Sequence, residues 1–412
     1  MSVKIGVLGL GQFGAQFVKL FHNHPAVSRL AICDIETERL KQFIEDPALN
    51  KLAPQDAFTS YNEMLRAGLD AIVVMSQPWL HAEQCVKALE TGHSVYSAVP
   101  VMMLPGCDEN LEWCDRLVNT VKKAGRHYML GETTYYRAEA MFCRRKAAEG
   151  VFGDFIYSEG QYMHPFDWKV CDLRQVMKGR FSGIPGKAYL KEINDYAARG
   201  IRSGPMLYPT HSVSGPMSVM STHAKKVSCF GTRPFTEDSY FEDYRDAFAN
   251  ETAIFQMSNG STMRILEHRE GPMETESFMV HGTKANFGYK HSNFLHLKEN
   301  EKNSLSYSEK EMRDPLPAEV LEAFMNKKNG SKVTHSDTIN DFTGVFKAHG
   351  GSHPYLVHEF VDSVDKNRIP SINVWEAVRY MAAGVMAHRS ALKDGECLDI
   401  PDWGDAPMDE SK

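Results

Sequence analysis

The chain has 412 residues, of which 42% are apolar and 24% charged, with a formal net charge of −7. That length exceeds one ordinary core and implies two domains, while the acidic balance and the lack of any basic block exclude a dedicated nucleic-acid surface. No apolar run approaches the ~20 residues of a membrane span, Met1-Ser2 leads straight into a strand without room for a signal peptide, and the eight cysteines form no C-x-x-C pair, so a reduced, cytoplasmic protein is expected.

Residues 3–8 (VKIGVL) form a short apolar strand ending at a glycine cluster, and 15–22 follow with amphipathic helical spacing. A second strand, 30–33, ends in Asp34; a helical segment and the β-branched strand 69–76 (LDAIVVMS) come next, broken by Pro78. Helix 80–91 stops at Gly92, strand 94–97 follows, and helix 108–124 with strand 127–132 completes this half. The order β-α-β-α-β-α-β implies a parallel sheet with helices on both faces.

Beyond residue 130 the pattern changes. Helix 138–149 is closed by Gly150, and strand 155–164 follows. Residues 165–205 read as a long, partly basic connection, a substrate-side loop. Residues 253–268 read as a hairpin in which Asn259-Gly260 supplies the positive φ angles of a tight turn; further strands are expected near 227–231 and 277–281. The stretch 302–340 is polar and weakly patterned, a surface excursion. Ser352 before Pro354 caps a helix to about 365, and Asn373 with Glu376 opens another to about 392. The expected architecture is α/β: a Rossmann dinucleotide-binding domain over 1–130, then an α+β domain over 131–412 with an open, mainly antiparallel sheet and C-terminal helices.

"GLGQFG" puts glycines at 9, 11 and 14 between a strand and a helix. The first permits the tight turn, the second lets backbone approach a pyrophosphate, and the third allows close helix–strand packing. Gly9, Gly11, Gln12, Phe13 and Gly14 are thus the phosphate-binding candidates, at a helix N-terminus with free N–H groups. Asp34, twenty residues past Gly14, can accept hydrogen bonds from both ribose hydroxyls and would repel a 2′-phosphate, which favours NAD over NADP.

With this loop, "SQPWLHAEQCVKALETGHSVYSAVP" (76–100) and the change near 130, the chain resembles the glucose–fructose oxidoreductase/inositol dehydrogenase/rhizopine-catabolism (Gfo/Idh/MocA) family over essentially its full length. The resemblance implies cofactor contacts from Ser76, Gln77 and His81, and from the segment at Val99 and Pro100. It also implies a homo-oligomer formed through the C-terminal sheet, with a small-molecule carbohydrate as substrate. The family's Glu-Lys-Pro signature, whose lysine assists proton transfer, reads Ala98-Val99-Pro100 here, so that role has no counterpart.

"LYPTHSVSGP" (207–216) supplies the replacement: His211 as general acid/base and Tyr208 as its assistant, on one face if the stretch is helical. The aspartate that family dehydrogenases often carry four residues before the histidine is Leu207. Tyr-Pro-Thr-His, Val-Pro and "HGGSHP" (349–354) together resemble a branch near the NAD-dependent α-N-acetylgalactosaminidase-type glycosidases, which oxidise a sugar transiently at C3, eliminate the aglycone, add water and reduce the ketone again. Tyr135 and Arg137 at a strand end, and Tyr162 and His164 on one face of a strand, are candidate substrate contacts, and His349 and His353 flank a Gly-Gly near a helix start. No spacing among the 17 histidines resembles a metal-ligand set. The readings are an NAD-dependent sugar or polyol oxidoreductase, a glycosidase that retains NAD, and a nucleotide-sensing scaffold without chemistry.

Overall fold

The computed structural model describes residues 2–167, 172–288, 293–298, 305–325 and 348–407. The first half runs β1 (Val3–Leu8), α1 (Gln12–Asn23), β2 (Val27–Cys33), α2 (Thr37–Ile44), β3 (Leu52–Phe58), α3 (Tyr61–Met64), β4 (Ala71–Val74), α4 (His81–Glu90), β5 (Ser94–Ser97), α5 (Cys107–Ala124) and β6 (Tyr128–Leu130). These strands make one parallel sheet in the order β3-β2-β1-β4-β5-β6. β4 is an unbroken buried run, AIVV, because helices cover both faces of a parallel sheet. The order reverses between β1 and β4, which opens a crevice at the carboxyl ends of those two strands.

β3 is an addition to the expected order. It carries Pro54, Gln55 and Asp56, a composition tolerated on an edge strand that pairs on one side only.

The second half contains α6 (Ala138–Ala148), β7 (Phe155–Met163), α7 (Leu173–Ser182), α8 (Ile184–Ala198), α9 (Thr210–Met220), β8 (Ala224–Thr232), α10 (Tyr240–Asp243), β9 (Asn250–Met257), β10 (Thr262–His268), β11 (Thr275–Gly282), β12 (Ala285–Phe287), β13 (Phe294–Leu297), β14 (Leu305–Ser306), α11 (Glu309–Met312), α12 (Ala318–Met325), two further helices, His353–Lys366 and Val374–Ala391, and β15 (Leu398–Asp399). Its sheet, β14-β13-β12-β11-β7-β10-β9-β8-β15, is antiparallel except where β7 pairs with β10. Helix α9 lies flush on the inner face: a Cβ on Gly160 of β7 would fall 1.9 Å from the Ser212 carbonyl oxygen.

Several expectations are corrected. Residues 165–205 are not a loop, since α7 and α8 occupy most of the stretch. They fold back on the nucleotide half, where the Trp79 indole stacks on Tyr189 at 4.1 Å and on Phe181 at 5.4 Å, and the Tyr189 hydroxyl donates to the Met103 carbonyl at 3.1 Å. In the hairpin only Gly260 has positive φ, at 86°, so Asn259 instead serves by accepting from Ser261 N–H. Ser352 does not cap its helix, because its hydroxyl donates to the His349 carbonyl; Asn373 does cap the last helix through Trp375 and Glu376 N–H. Within 302–340, α12 buries Val320, Leu321 and Phe324, with Phe324 against the His24 ring at 5.9 Å; residues 326–347 lie outside the described residues.

Candidate active site

The glycine loop is shaped by exclusion. Gly9 has φ of +93°, and a Cβ there would sit 2.8 Å from the Met75 backbone; one on Gly14 would lie 2.0 Å from the Gly9 carbonyl oxygen. α1 therefore starts close against β1 and β4, with Gly11 as an N-cap that supplies no side-chain bond, and its first N–H groups stay available for phosphate oxygens. Asp34 Oδ2 accepts from Leu10 N–H at 2.8 Å and Oδ1 from Glu36 N–H at 2.9 Å, so this carboxylate joins the first two strand–helix turns. Oδ2 also faces the Arg39 guanidinium at 3.6 Å, and Oδ1 retains acceptor capacity for a ribose hydroxyl. Gln12 is exposed. The Phe13 ring is held by Phe17 at 4.9 Å and by His353 and His349 at 5.5 and 5.7 Å, so only its backbone is left to a dinucleotide.

At the end of β4 the Ser76 hydroxyl bonds to Gln84, and Gln77 precedes the turn that presents Trp79. His81 departs from the expectation of cofactor contact. Its Nδ1 lies 2.8 Å from the Pro100 carbonyl and its Nε2 3.2 Å from the Ser76 carbonyl; burial lowers its pKa to about 4. A neutral, fully engaged imidazole offers no nitrogen to a ligand, and it ties the Ser76 turn to the cis Val99–Pro100 segment.

His211, on the first turn of α9, is the centre of the polar site. Its Nδ1–H donates to Glu132 Oε1 at 2.9 Å, and Glu276 Oε1 lies 4.0 Å away. Thr134 N–H also donates to Glu132, at 2.8 Å, while the Thr134 hydroxyl and the Arg137 guanidinium both bind Glu276. Burial alone would push the imidazole down, but Glu132 and Glu276 outweigh it and raise His211 to about 9. Burial likewise opposes the charge on Glu132, yet the neighbouring imidazolium holds its carboxyl below the usual range. His211 is therefore charged at neutral pH, an acid in the resting protein. Its Nε2 makes no hydrogen bond among the described residues.

Tyr208 does not share a helix face with His211, because Pro209 begins α9 and leaves Tyr208 in the preceding turn. The two rings still meet, with centroids 5.5 Å apart, and the Tyr208 hydroxyl reaches the Val99 carbonyl at 3.4 Å. Tyr162 contacts His211 edge-on at 5.0 Å, and its hydroxyl lies 2.7 Å from His164 Nδ1. A cavity of about 90 Å³ adjoins these groups, lined by Tyr162, His164, Arg180, Tyr208, Asp246 and Arg269 among others. Arg137 and Tyr135 depart from the expected substrate contacts: Arg137 is committed to Glu276, and Tyr135 carries the Arg144 guanidinium 3.6 Å over its ring.

Ligand atoms of Glu132, His211 and Glu276 fall within 4.8 Å of one another. The donor chemistry is that of a proton relay, since a cation would have to displace the Nδ1 proton and compete with Arg137 for Glu276. His349, with φ of +49° beside Gly350, brings the "HGG" turn to this network: Gly350 lies against Arg137, and burial with the charge of His211 lowers His349 to about 4.

Residues 3–132 match the family described as oxidoreductase family, NAD-binding Rossmann fold (GFO_IDH_MocA), and residues 136–407 match the glycosyl hydrolase 109 C-terminal domain. The chain belongs to glycosyl hydrolase family 109. A family 109 protein of Shewanella woodyi is 28% identical over 177 residues, 42% of this chain and 37% of that protein. An α-N-acetylgalactosaminidase of Shewanella oneidensis is 25% identical over 176 residues, again 42% and 37%. The aligned part thus spans little more than a third of these family 109 relatives. Scyllo-inositol dehydrogenase of Lactobacillus casei, solved with NAD(H) and scyllo-inositol, shares the fold, with a TM-score of 0.64 and 14% identity over 97% of this chain and 99% of that one.

In this family 109 chain the site depends on residues that sequence reasoning passed over. Glu132 lies two residues past the end of β6, at the carboxyl end of a parallel strand where ligands gather, and that position was the available signal. Glu276 stands opposite Tyr162 in the β11–β7 register, a relationship visible only once the strands are paired. Arg180 enters on α7, the helix read as loop.

Proposed function

We propose that the protein is an NAD-dependent carbohydrate enzyme whose reaction opens by oxidising a secondary alcohol, C3 of a pyranoside, and whose net reaction is redox-neutral cleavage of a glycoside. The observation that carries this reading is the presence of two separate proton-transfer groups, the Glu132–His211 pair and the Tyr208 hydroxyl. Simple oxidation needs one such group; oxidation followed by elimination needs one at the alcohol and another at the carbon proton and leaving oxygen. The family 109 match over residues 136–407 supports the same reading. Stoichiometric oxidation of a sugar or polyol is the second reading, supported by the fold shared with scyllo-inositol dehydrogenase.

Bound NAD supplies the hydride acceptor, and the residues present fit it: a glycine loop that side chains would block, a free helix N-terminus, and Asp34 at the end of β2. Asp34 favours NAD over NADP. Glu132 fixes His211 as the Nδ1–H tautomer, so Nε2 carries the mobile proton and becomes the base once that proton is delivered. Tyr208 stands at the carbonyl of Val99, the position of the family's lysine. Burial keeps its hydroxyl protonated, so it gives a proton to the leaving oxygen, while the alcohol proton passes to His211 once Nε2 has lost its own proton to solvent. Tyr162 and His164 orient the sugar.

The finer assignments follow from the same features. Two domains divide near residue 130. The described cysteines are all free thiols, which supports a reducing, cytoplasmic compartment, and no described helix is long and apolar enough to cross a membrane. On the outer face of the C-terminal sheet Phe230 and Ile254 are 65% and 49% exposed, and these side chains support a homo-oligomer through that face.

The test supplies aryl glycosides and free sugars to protein whose NAD(H) content has been measured. Catalytic aglycone release at constant NADH, with solvent deuterium at C2, is expected. Stoichiometric NADH without aglycone selects the second reading, and no reaction of cofactor-loaded protein with any sugar rejects both. His211→Ala is expected to abolish turnover while leaving NAD bound.

A further inference from the structure

Among the cations that line the cavity beside Tyr208, Arg269 is already neutralised: its guanidinium donates to Glu267 at 2.8 Å. Arg180 is not. Its partners among the described residues are the Met177 sulfur, at 4.0 Å, and Tyr208, whose ring centroid lies 6.0 Å away. No carboxylate among the described residues pairs with it. Arg180 is half-buried, and its only polar side-chain partner among the described residues is the Tyr208 hydroxyl. Its guanidinium therefore stands at the cavity walled by Tyr162, Tyr208 and Tyr240 with donors left for an anionic ligand.

We infer that Arg180 is a specificity-determining residue and that the substrate is an acidic pyranoside whose carboxylate pairs with its guanidinium. The inference rests on the proposed function for the identity of the substrate as a sugar. Its planar fork matches a carboxylate in two parallel hydrogen bonds. A carboxylate rather than a phosphate is indicated by charge balance: one unpaired guanidinium offsets one negative charge, and a dianion would leave a second charge against aromatic walls. The cavity's own acid opposes little, because burial raises Asp246 to about 7. Placement agrees with the chemistry. α7 carries Arg180 over the cavity, and Phe181, the next residue, anchors the helix on Trp79.

Calorimetric titration of the NAD-loaded protein tests this. The probes are glucuronate, galacturonate and mannuronate, their neutral parent sugars, and the parents' 6-phosphates. At least one uronate is expected to bind about tenfold more tightly than its parent, and Arg180→Gln should erase that difference. Arg180→Lys, which keeps the charge and loses the fork, should retain part of it; near-ultraviolet dichroism of both variants reports folding. No uronate preference overturns the inference, as does an equal loss for uronate and parent, or tighter binding of a 6-phosphate. If uronates bind through Arg180 but no sugar reduces the bound NAD, the redox reading fails and this assignment stands. If neutral sugars are turned over with no acidic preference, the reverse holds.

Discussion

The Tyr208 hydroxyl donates to the main-chain carbonyl of Val99 at 3.4 Å. The hydroxyl proposed to transfer a proton thus comes from the second half and stands at the backbone of Val99. The bond is long, so little stability depends on it. Tyr208→Phe is expected to change unfolding free energy by less than ~1 kcal/mol and to lower kcat about 100-fold. Wild-type kcat in that variant would reduce Tyr208 to a packing residue.

The His211–Glu132 pair makes stability depend on pH in a defined direction. The folded His211 titrates at about 9 against an ordinary 6.5, so its contribution is complete below pH 6.5 and is lost as pH rises through 9. Glu132 is held low, and its contribution is lost only in acid. Urea unfolding should therefore show a loss on the order of 3 kcal/mol between pH 6.5 and 9, and Glu132→Gln should flatten that slope. A wild-type stability that is level over this window would contradict a charged His211.

Asp34 holds the Leu10 and Glu36 N–H groups and is proposed to bind the ribose as well. Asp34→Ala should weaken NAD at least tenfold and narrow its advantage over NADP, measured as separate dissociation constants. An unchanged ratio would confine Asp34 to loop structure.

Trp79, of the nucleotide half, stacks on Phe181 of α7 and Tyr189 of α8, both of the second half. Trp79→Ala should cost ~3 kcal/mol or more and open the segment 173–198 to limited proteolysis before the rest of the chain. Cleavage spread evenly along the chain would show that this stack does not hold α7 and α8 down.

Phe230→Asp with Ile254→Asp places two charges on the outer sheet face. Sedimentation velocity is expected to shift from an oligomer to monomer, with NAD binding retained. A monomeric wild type would remove this face from assembly.

Much of the nucleotide half was legible because its signals are local. β1, β2, β4 and β5 are short apolar runs ended by turn residues, and Gly9 and Gly14 mark backbone that no other residue accommodates. β3 was not, since Pro54 and Asp56 erase the alternation that an edge strand does not require. α7 and α8 were hidden by the Gly183–Pro185 break and by basic residues, although Asp172 accepts from Arg174 N–H as an ordinary helix cap. His211 and Tyr208 stand out by residue type, but the carboxylates around His211 do not, because Glu132 and Glu276 reach it from elements 79 and 65 residues distant in the chain. Periodicity reports which face is buried, not which distant carboxylate shares it.

Helix His353–Lys366 packs on α1, with Phe17 against His353 at 4.6 Å and Phe21 against Phe360 at 6.3 Å. Phe360 also meets Tyr96 of β5 at 5.6 Å. During synthesis the aromatic stripe of α1 must wait for residue 360 to leave the ribosome. The nucleotide-binding half, made first, is the half completed last, and a chain released early would expose that stripe to chaperones and to other nascent chains.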